Sequence, residues 1–208
     1  MNKSRTGYIL LAWTALFAVS LSSAASAADV ARLVEPCTAC HGKDGNNSEA
    51  DVPNIAGYSE DYLANTIKRY QRKEMPCVET AFRSGSNKGA KTDMCKSVKD
   101  LSESDIQQIG EYFAGKTFAR TAQSFDAALA KKGKSVHINK CDTCHSESGT
   151  AASDDAGILG GQKTAYLKQQ IKFFKDGKRP ISKKMKPKLE SLDDAQIEAI
   201  IHYYASIQ

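Results

Sequence analysis

Cys37-Thr38-Ala39-Cys40-His41 and Cys141-Asp142-Thr143-Cys144-His145 decide how this chain is read. Both have the form Cys-x-x-Cys-His, the pattern by which a c-type haem is attached. Two thiols add to the vinyl groups of the porphyrin as thioethers, and two intervening residues set them one helical turn apart. The histidine that follows comes under the iron. A single copy is compatible with chance or with a redox dithiol. Here there are two copies, each followed after 16 residues by a glycine, Gly57 and Gly161. The reading is two covalent haem c groups held by Cys37, Cys40, Cys141 and Cys144, with His41 and His145 as the first axial ligands.

Outward from these motifs the chain repeats itself. At the front of each copy the offset is 104: Cys37 matches Cys141, Gly57 matches Gly161, and Tyr62-Leu63 matches Tyr166-Leu167. Further on it is 91, so that Met94 matches Met185, Ile106 matches Ile197 and Tyr112 matches Tyr203. An insertion of 13 residues between Tyr70 and Met94 accounts for the change. Two copies make a tandem duplication, since a solenoid needs three or more units.

Each copy reads as a small all-α domain. In the first, a helix from about Asp29 runs into the pentapeptide, and a Gly- and Asn-rich loop spans Gly42 to Asn54. Ser59 caps a helix through Arg72, and Ser102 caps a last helix with Ile106, Ile109 and Phe113 on one face. The second repeats this plan, with helices from about Ser124 to Cys144, from Thr164 to Asp176, and after Ser191. Ile197, Ile200, Ile201 and Tyr204 form the stripe of the last. The expected division is an export signal at 1–27, domains at 28–114 and 124–208, and a linker at 115–123. Cores this small gain from a large apolar cofactor, which works as part of the packing.

Lys3 and Arg5 precede an apolar run, Ile9 to Leu21, and a small-residue cleavage site, Ala25-Ser26-Ala27. That is the form of a secretory signal peptide. A periplasmic location follows, with no stable membrane span in the mature protein. Lys and Arg number 11 against 14 Asp and Glu from Asp29 to Ala114, and 16 against 10 from Gly115 to Gln208. Without a basic patch interleaved with aromatics, nothing points to nucleic acid. Between Lys168 and Lys188 lie nine Lys and Arg and a single acid, Asp176. This run predicts a basic rim beside the second haem that steers an acidic partner.

The sixth iron ligand separates electron transfer from catalysis. Met94 and Met185 each lie 7 residues before a leucine (Leu101, Leu192) and 18 before an aromatic (Tyr112, Tyr203). The matched placement predicts axial thioethers, which raise the reduction potential and close the iron to substrate. Met75 has no counterpart and reads as packing. His137 and His202 have none either, and read as ordinary helix-face residues. The carbonyl of Pro53, or of Gly157 in the second copy, is the expected acceptor for the remaining nitrogen of the proximal histidine. Four of six cysteines serve haem. An oxidising compartment predicts a disulfide between the other two, Cys77 and Cys95. The alternative is that Cys95 binds iron as a thiolate.

With these features the mature chain resembles the dihaem class I cytochromes c. It is similar both to the cytochrome c4 family and to the dihaem subunit of flavocytochrome c sulfide dehydrogenase. Ala56-Gly57, Gly160-Gly161, the paired methionines, Tyr112 and Tyr203 carry the general resemblance. Gln123-Ser124-Phe125-Asp126, Ala128-Leu129-Ala130, Arg179-Pro180, Lys183-Lys184-Met185 and Tyr204-Ala205-Ser206 look closer to the flavocytochrome subunit. The insertion holding Cys77 and Cys95 departs from both. The resemblance implies two tandem class I cytochrome c domains and a one-electron relay whose donor is a sulfide-oxidising flavoprotein. Its acceptor is an oxidase or small cytochrome. One alternative is a free shuttle to a terminal oxidase. Another is a dihaem enzyme, such as a thiosulfate dehydrogenase, with an open or Cys-ligated haem.

Overall fold

A computed structural model describes residues 27–208, so all but the last residue of the export signal read from the sequence lies outside the described residues. Among these residues no helix is long and apolar enough to cross a membrane. The first copy holds α1 (Ala27–His41), α2 (Glu60–Gln71), a two-stranded hairpin β1 (Thr80–Ala81) and β2 (Lys91–Thr92), α3 (Met94–Val98) and α4 (Glu103–Ala114). The second holds α5 (Ala127–Lys140), the single turn α6 (Ser146–Gly149), α7 (Thr164–Lys175), α8 (Lys186–Glu190) and α9 (Asp194–Ala205).

Caps place these helices. The Ser59 hydroxyl accepts from the Tyr62 amide at the start of α2. Ser102 and Asp105 exchange side chain and backbone as a capping box on α4, occupying amides that the helix leaves unpaired. In the second copy the cap of α9 is Asp193, paired with Gln196 in the same reciprocal way. Ser191 instead ends α8 and turns its hydroxyl back to the Lys188 carbonyl. An acidic cap and a Gln three residues on outcompete the earlier serine.

Two apolar cores result. The first gathers Val34, Tyr58, Leu63, Ile67, Val98, Ile106, Ile109 and Phe113, with α2 lying on α4, and takes in Ile158 from the second copy. The second gathers Leu167, Ile200, Ile201, Tyr203 and Tyr204. There α5 lies closely along α9, because Gly133 lets the backbones meet: a Cβ at that position would sit 2.0 Å from the Ala199 carbonyl oxygen.

The duplication is visible bond for bond. Ile55 and Ala56 amides both donate to the Gly45 carbonyl, and Leu159 and Gly160 amides both donate to that of Gly149. The Gly57 amide donates to the Phe113 carbonyl as Gly161 does to Tyr204. Gly57 and Gly161 sit at φ +68° and +79°, a conformation that glycine alone adopts without strain.

Candidate haem sites and the contact between them

The first pentapeptide forms the last turns of α1. Gly42, at φ +83°, ends the helix by donating its amide to the Thr38 carbonyl at 2.9 Å. His41 is buried, and its Nδ1 lies 3.0 Å from the Pro53 carbonyl oxygen. Burial pushes the imidazole below its ordinary pKa, against the pull of that carbonyl. The ring is therefore neutral, with Nδ1 held as donor and the Nε2 lone pair left for a metal. Cys37 packs on the first core, and burial pushes its thiol up to about 11.

The insertion folds back over this site. Arg83 and Ser84 amides both donate to the Ala39 carbonyl at 3.0 Å, and the Cys40 thiol approaches the Ala81 carbonyl at 3.9 Å. Cys77 and Cys95 are joined in a disulfide across 18 residues. The Cys95 sulfur is thus bonded to sulfur and is no thiolate for iron. Asp93 caps α3 and places Met94 at its first position, half-buried against the same core as Cys37. Met75 is buried at 4% exposure.

The second site departs from the first. The expected helix through Cys144 stops at Lys140, because the Asp142 carboxylate turns back to His137 Nε2 at 3.1 Å. Thr38, the matching residue in the first copy, bonds its own helix at the Glu35 carbonyl. Where Gly42 stood there is Ser146, so Glu147 and Ser148 take the left-handed conformation instead, at φ +53° and +64°. Asp154 receives the Ser146 amide at 2.6 Å, and Tyr203 donates to Ser148 Oγ at 2.7 Å, which holds this strained turn. Burial pushes His145 down in pKa, and the Gly157 carbonyl acts on it in the opposite direction. Cys141 is half-buried and Cys144 is exposed. Met185 begins the turn into α8 and is half-buried.

The other two histidines are committed elsewhere. His137 is not an ordinary face residue: it is 1% exposed, with Nδ1 3.0 Å from the Tyr204 hydroxyl and Nε2 on Asp142. His202 accepts the Asp126 amide at Nδ1 and pairs with Glu198 through Nε2. Neither ring keeps a nitrogen for iron. Sequence reading missed His137 because its partners lie on another helix and past the helix end.

Charge also differs from the linear count. On α7, Lys168 pairs with Glu198 and Lys175 with Asp194, both acids of α9, while Lys172 pairs with Asp176. Lys186 faces Glu190. The basic rim thus shrinks to the exposed Lys183, Lys184 and Lys188 around Met185.

Two buried nitrogens among the described residues lack a hydrogen-bond partner, Nε of Arg83 and Nε of Arg179. Arg179 spends its other nitrogens on Gln170 at 2.7 Å and the Tyr62 hydroxyl at 3.3 Å. A buried guanidinium donor without an acceptor suits an anionic group, and haem brings two propionates. Together with the neutral His41 ring, the residues present fit the cofactor.

Between the sites the copies meet through their equivalent loops. The Tyr58 hydroxyl donates to the Ile158 carbonyl at 3.1 Å, and Gln162 Nε2 donates to the Asn54 carbonyl at 2.9 Å. Residues 58 and 162 are counterparts, as are 158 and 54, so the contact has an approximate twofold symmetry. Gln162 Oε1 also accepts the Asn54 amide at 3.1 Å, and Asn54 Nδ2 reaches the Ala119 carbonyl of the connector at 2.7 Å.

Known proteins share this arrangement. Residues 128–203 match the family described as cytochrome C oxidase, cbb3-type, subunit III. Cytochrome c4 of Stutzerimonas stutzeri is 31% identical over 157 residues, covering 70% of each chain. A thiosulfate dehydrogenase electron acceptor of Thiomonas intermedia is 28% identical over 183 residues, 82% of this chain and 77% of that one. The crystal structure of reduced recombinant cytochrome c4 from Pseudomonas stutzeri superposes with a TM-score of 0.69 at 27% identity, covering 89% of this chain and all of that one. With two matched haem motifs, paired all-α domains and this likeness over both, the chain belongs to the cytochrome c4 family of dihaem class I cytochromes c, electron-transfer proteins carrying two covalently bound haem c groups.

Proposed function

We propose that this chain is an exported, periplasmic one-electron relay that takes electrons from a sulfur-oxidising donor and passes them to an oxidase or small cytochrome. Cys37 and Cys40 would hold one haem and Cys141 and Cys144 the other. His41 and Met94 would bind the iron of the first, and His145 and Met185 that of the second. The domains divide near 28–114 and 124–208. The bound groups supply an iron couple that changes by one electron without bond chemistry. The chain supplies everything else: neutral imidazoles, burial, and thioether ligands that keep substrate out.

The observation that carries this reading is the hydrogen-bonded contact between the two loops behind the proximal histidines, Asn54 to Gln162 and Tyr58 to Ile158. It fixes two redox sites against each other, as a relay needs and an isolated catalytic haem does not. For Met94 the support is its packing with Cys37 on one core and the disulfide at its neighbour Cys95.

On the donor, the relative named as a thiosulfate dehydrogenase electron acceptor favours a free acceptor protein. A permanent subunit of a sulfide-oxidising flavoprotein calls for a broad apolar face. The large apolar side chains exposed among the described residues are Val78, Phe125 and Ile138. The test is native purification followed by stopped-flow mixing with each reduced donor. The relay reading expects two haems by alkaline pyridine titration, a methionine–iron charge-transfer band for both, and rapid salt-sensitive reduction. A haem that binds small ligands without displacing methionine would sink it.

A further inference from the structure

The contact between the domains has one feature outside its twofold symmetry, Lys163. Its counterpart is Ser59, which does the ordinary work of capping α2. Lys163 stands at the same place before α7 and makes no side-chain cap. A lysine has no acceptor to offer there, and its charge opposes the helix dipole. What it does instead is cross to the other domain. Its Nζ donates to Asn47 Oδ1 at 2.7 Å, to the Val52 carbonyl at 2.7 Å and to Asn54 Oδ1 at 3.0 Å.

All three acceptors belong to the loop that holds His41, and all are uncharged. Asn47 in turn donates Nδ2 to the Pro53 carbonyl at 3.2 Å, the same oxygen that lies 3.0 Å from His41 Nδ1. Lys163 is 2% exposed. The nearby acids Glu49 and Asp51 both face Arg83, at 3.9 and 3.0 Å. A cation from the second domain, hydrogen-bonded only to uncharged acceptors and with no carboxylate in direct contact, is thus sealed behind the proximal histidine of the first.

We infer that Lys163 is a positioning residue through which the second domain sets the reduction potential of the first haem. Two effects act with the same sign. A buried positive charge favours the iron state with the lower charge, the reduced one. By orienting Asn47, Lys163 also makes a second donor compete for the Pro53 carbonyl. That weakens its hold on the His41 N–H, makes the imidazole less basic, and again favours reduction. The inference rests on His41 being the axial ligand of that haem. A redox pair that began as equal copies is thereby biased without any change in its ligands.

The test uses the full dihaem protein, with the haems distinguished by their paramagnetic methyl resonances and followed through a redox titration. Lys163→Met removes the charge and the donor; Lys163→Gln keeps a donor without the charge. In the methionine variant the equilibrium share of electrons on the first haem relative to the second falls on the order of tenfold, while the second haem is unmoved. The glutamine variant falls less. A purely structural strut would lower the unfolding midpoint and leave that ratio alone. An unchanged ratio in both folded variants, or an equal shift of both haems, overturns the inference. Failure of the His41 assignment itself shows separately, as a wild-type spectrum lacking a histidine–methionine haem in the first domain.

Discussion

Replacing Gln162 with leucine keeps nearly the same volume and removes every hydrogen bond its amide makes. Gln162 is fully buried, with the Asn54 amide at 3.1 Å and the Asn54 carbonyl at 2.9 Å as partners in the other domain. Leucine leaves both without partners. Each buried orphan costs about 1–3 kcal/mol, and the added apolar burial returns about 1 kcal/mol. The net expectation is a loss of about 3 kcal/mol, on the order of a hundredfold in the equilibrium for opening the contact. Gln162 belongs to neither apolar core and touches the first only through the Tyr58 hydroxyl, so the domains should part while each stays folded. Hydrogen exchange read by mass spectrometry tests this: peptides holding Asn54 and Lys163 exchange faster, and those from α4 and α9 stay protected. Tyr58→Phe alone, losing the bond to Ile158, costs about 1 kcal/mol. Because Gln162 and Tyr58 also bond each other at 3.0 Å, the double variant loses less than the separate effects added together. Unchanged exchange at Asn54 in Gln162→Leu, with an unfolding free energy within about 0.5 kcal/mol of the parent, would refute the reasoning.

Serine at both Cys77 and Cys95 opens a loop whose ends lie 18 apart in sequence, and should cost about 3 kcal/mol. The loss is read by urea titration, together with a weakened methionine band from the first haem alone. Gly133→Val should prevent α5 from lying against α9, since even one added carbon meets the Ala199 carbonyl at 2.0 Å. A loss of several kcal/mol, seen as unfolding of the second domain before the first, is expected. Burial pushes Lys163 down to about 8 from 10.5. Between those values the unfolded chain binds the extra proton, so stability gains from this group as pH rises from about 8 to 10.5 and is flat below. Urea midpoints across that range, compared with Lys163→Met, isolate the effect.

The division into two haem domains is legible in the sequence because covalent attachment needs a fixed five-residue pattern, and because the offset of 104 repeats at Gly57 and Gly161. Helix starts at Ser59 and Ser102 are equally legible, since a cap is a local bond within four residues. What escapes is non-local. The Asp142–His137 bond that ends α5 early depends on where α9 puts Tyr204. The lysines of α7 look like a patch along the chain and prove half-neutralised by acids some 20 to 30 residues away in sequence. Lys163 carries no motif at all, and only the fold shows that its amine ends in the other domain.

The two copies have diverged in opposite ways around one scaffold. In the first, Gly42 lets α1 end cleanly after His41, and a disulfide-tied insertion covers the Cys40 side by binding the Ala39 carbonyl. In the second, Ser146 forces a strained turn, Cys144 stays exposed, and Lys183, Lys184 and Lys188 remain unpaired beside Met185. A covered redox site exchanges electrons slowly with partners, and an exposed one ringed by unpaired cations attracts acidic ones. This contrast predicts that partners dock on the second domain and that the first is reached through the contact at Asn54 and Gln162. Trimming the loop between β1 and β2 should then speed reduction of the first haem by external donors and leave the second unchanged. Equal rates at both haems before and after trimming would show that the insertion screens nothing.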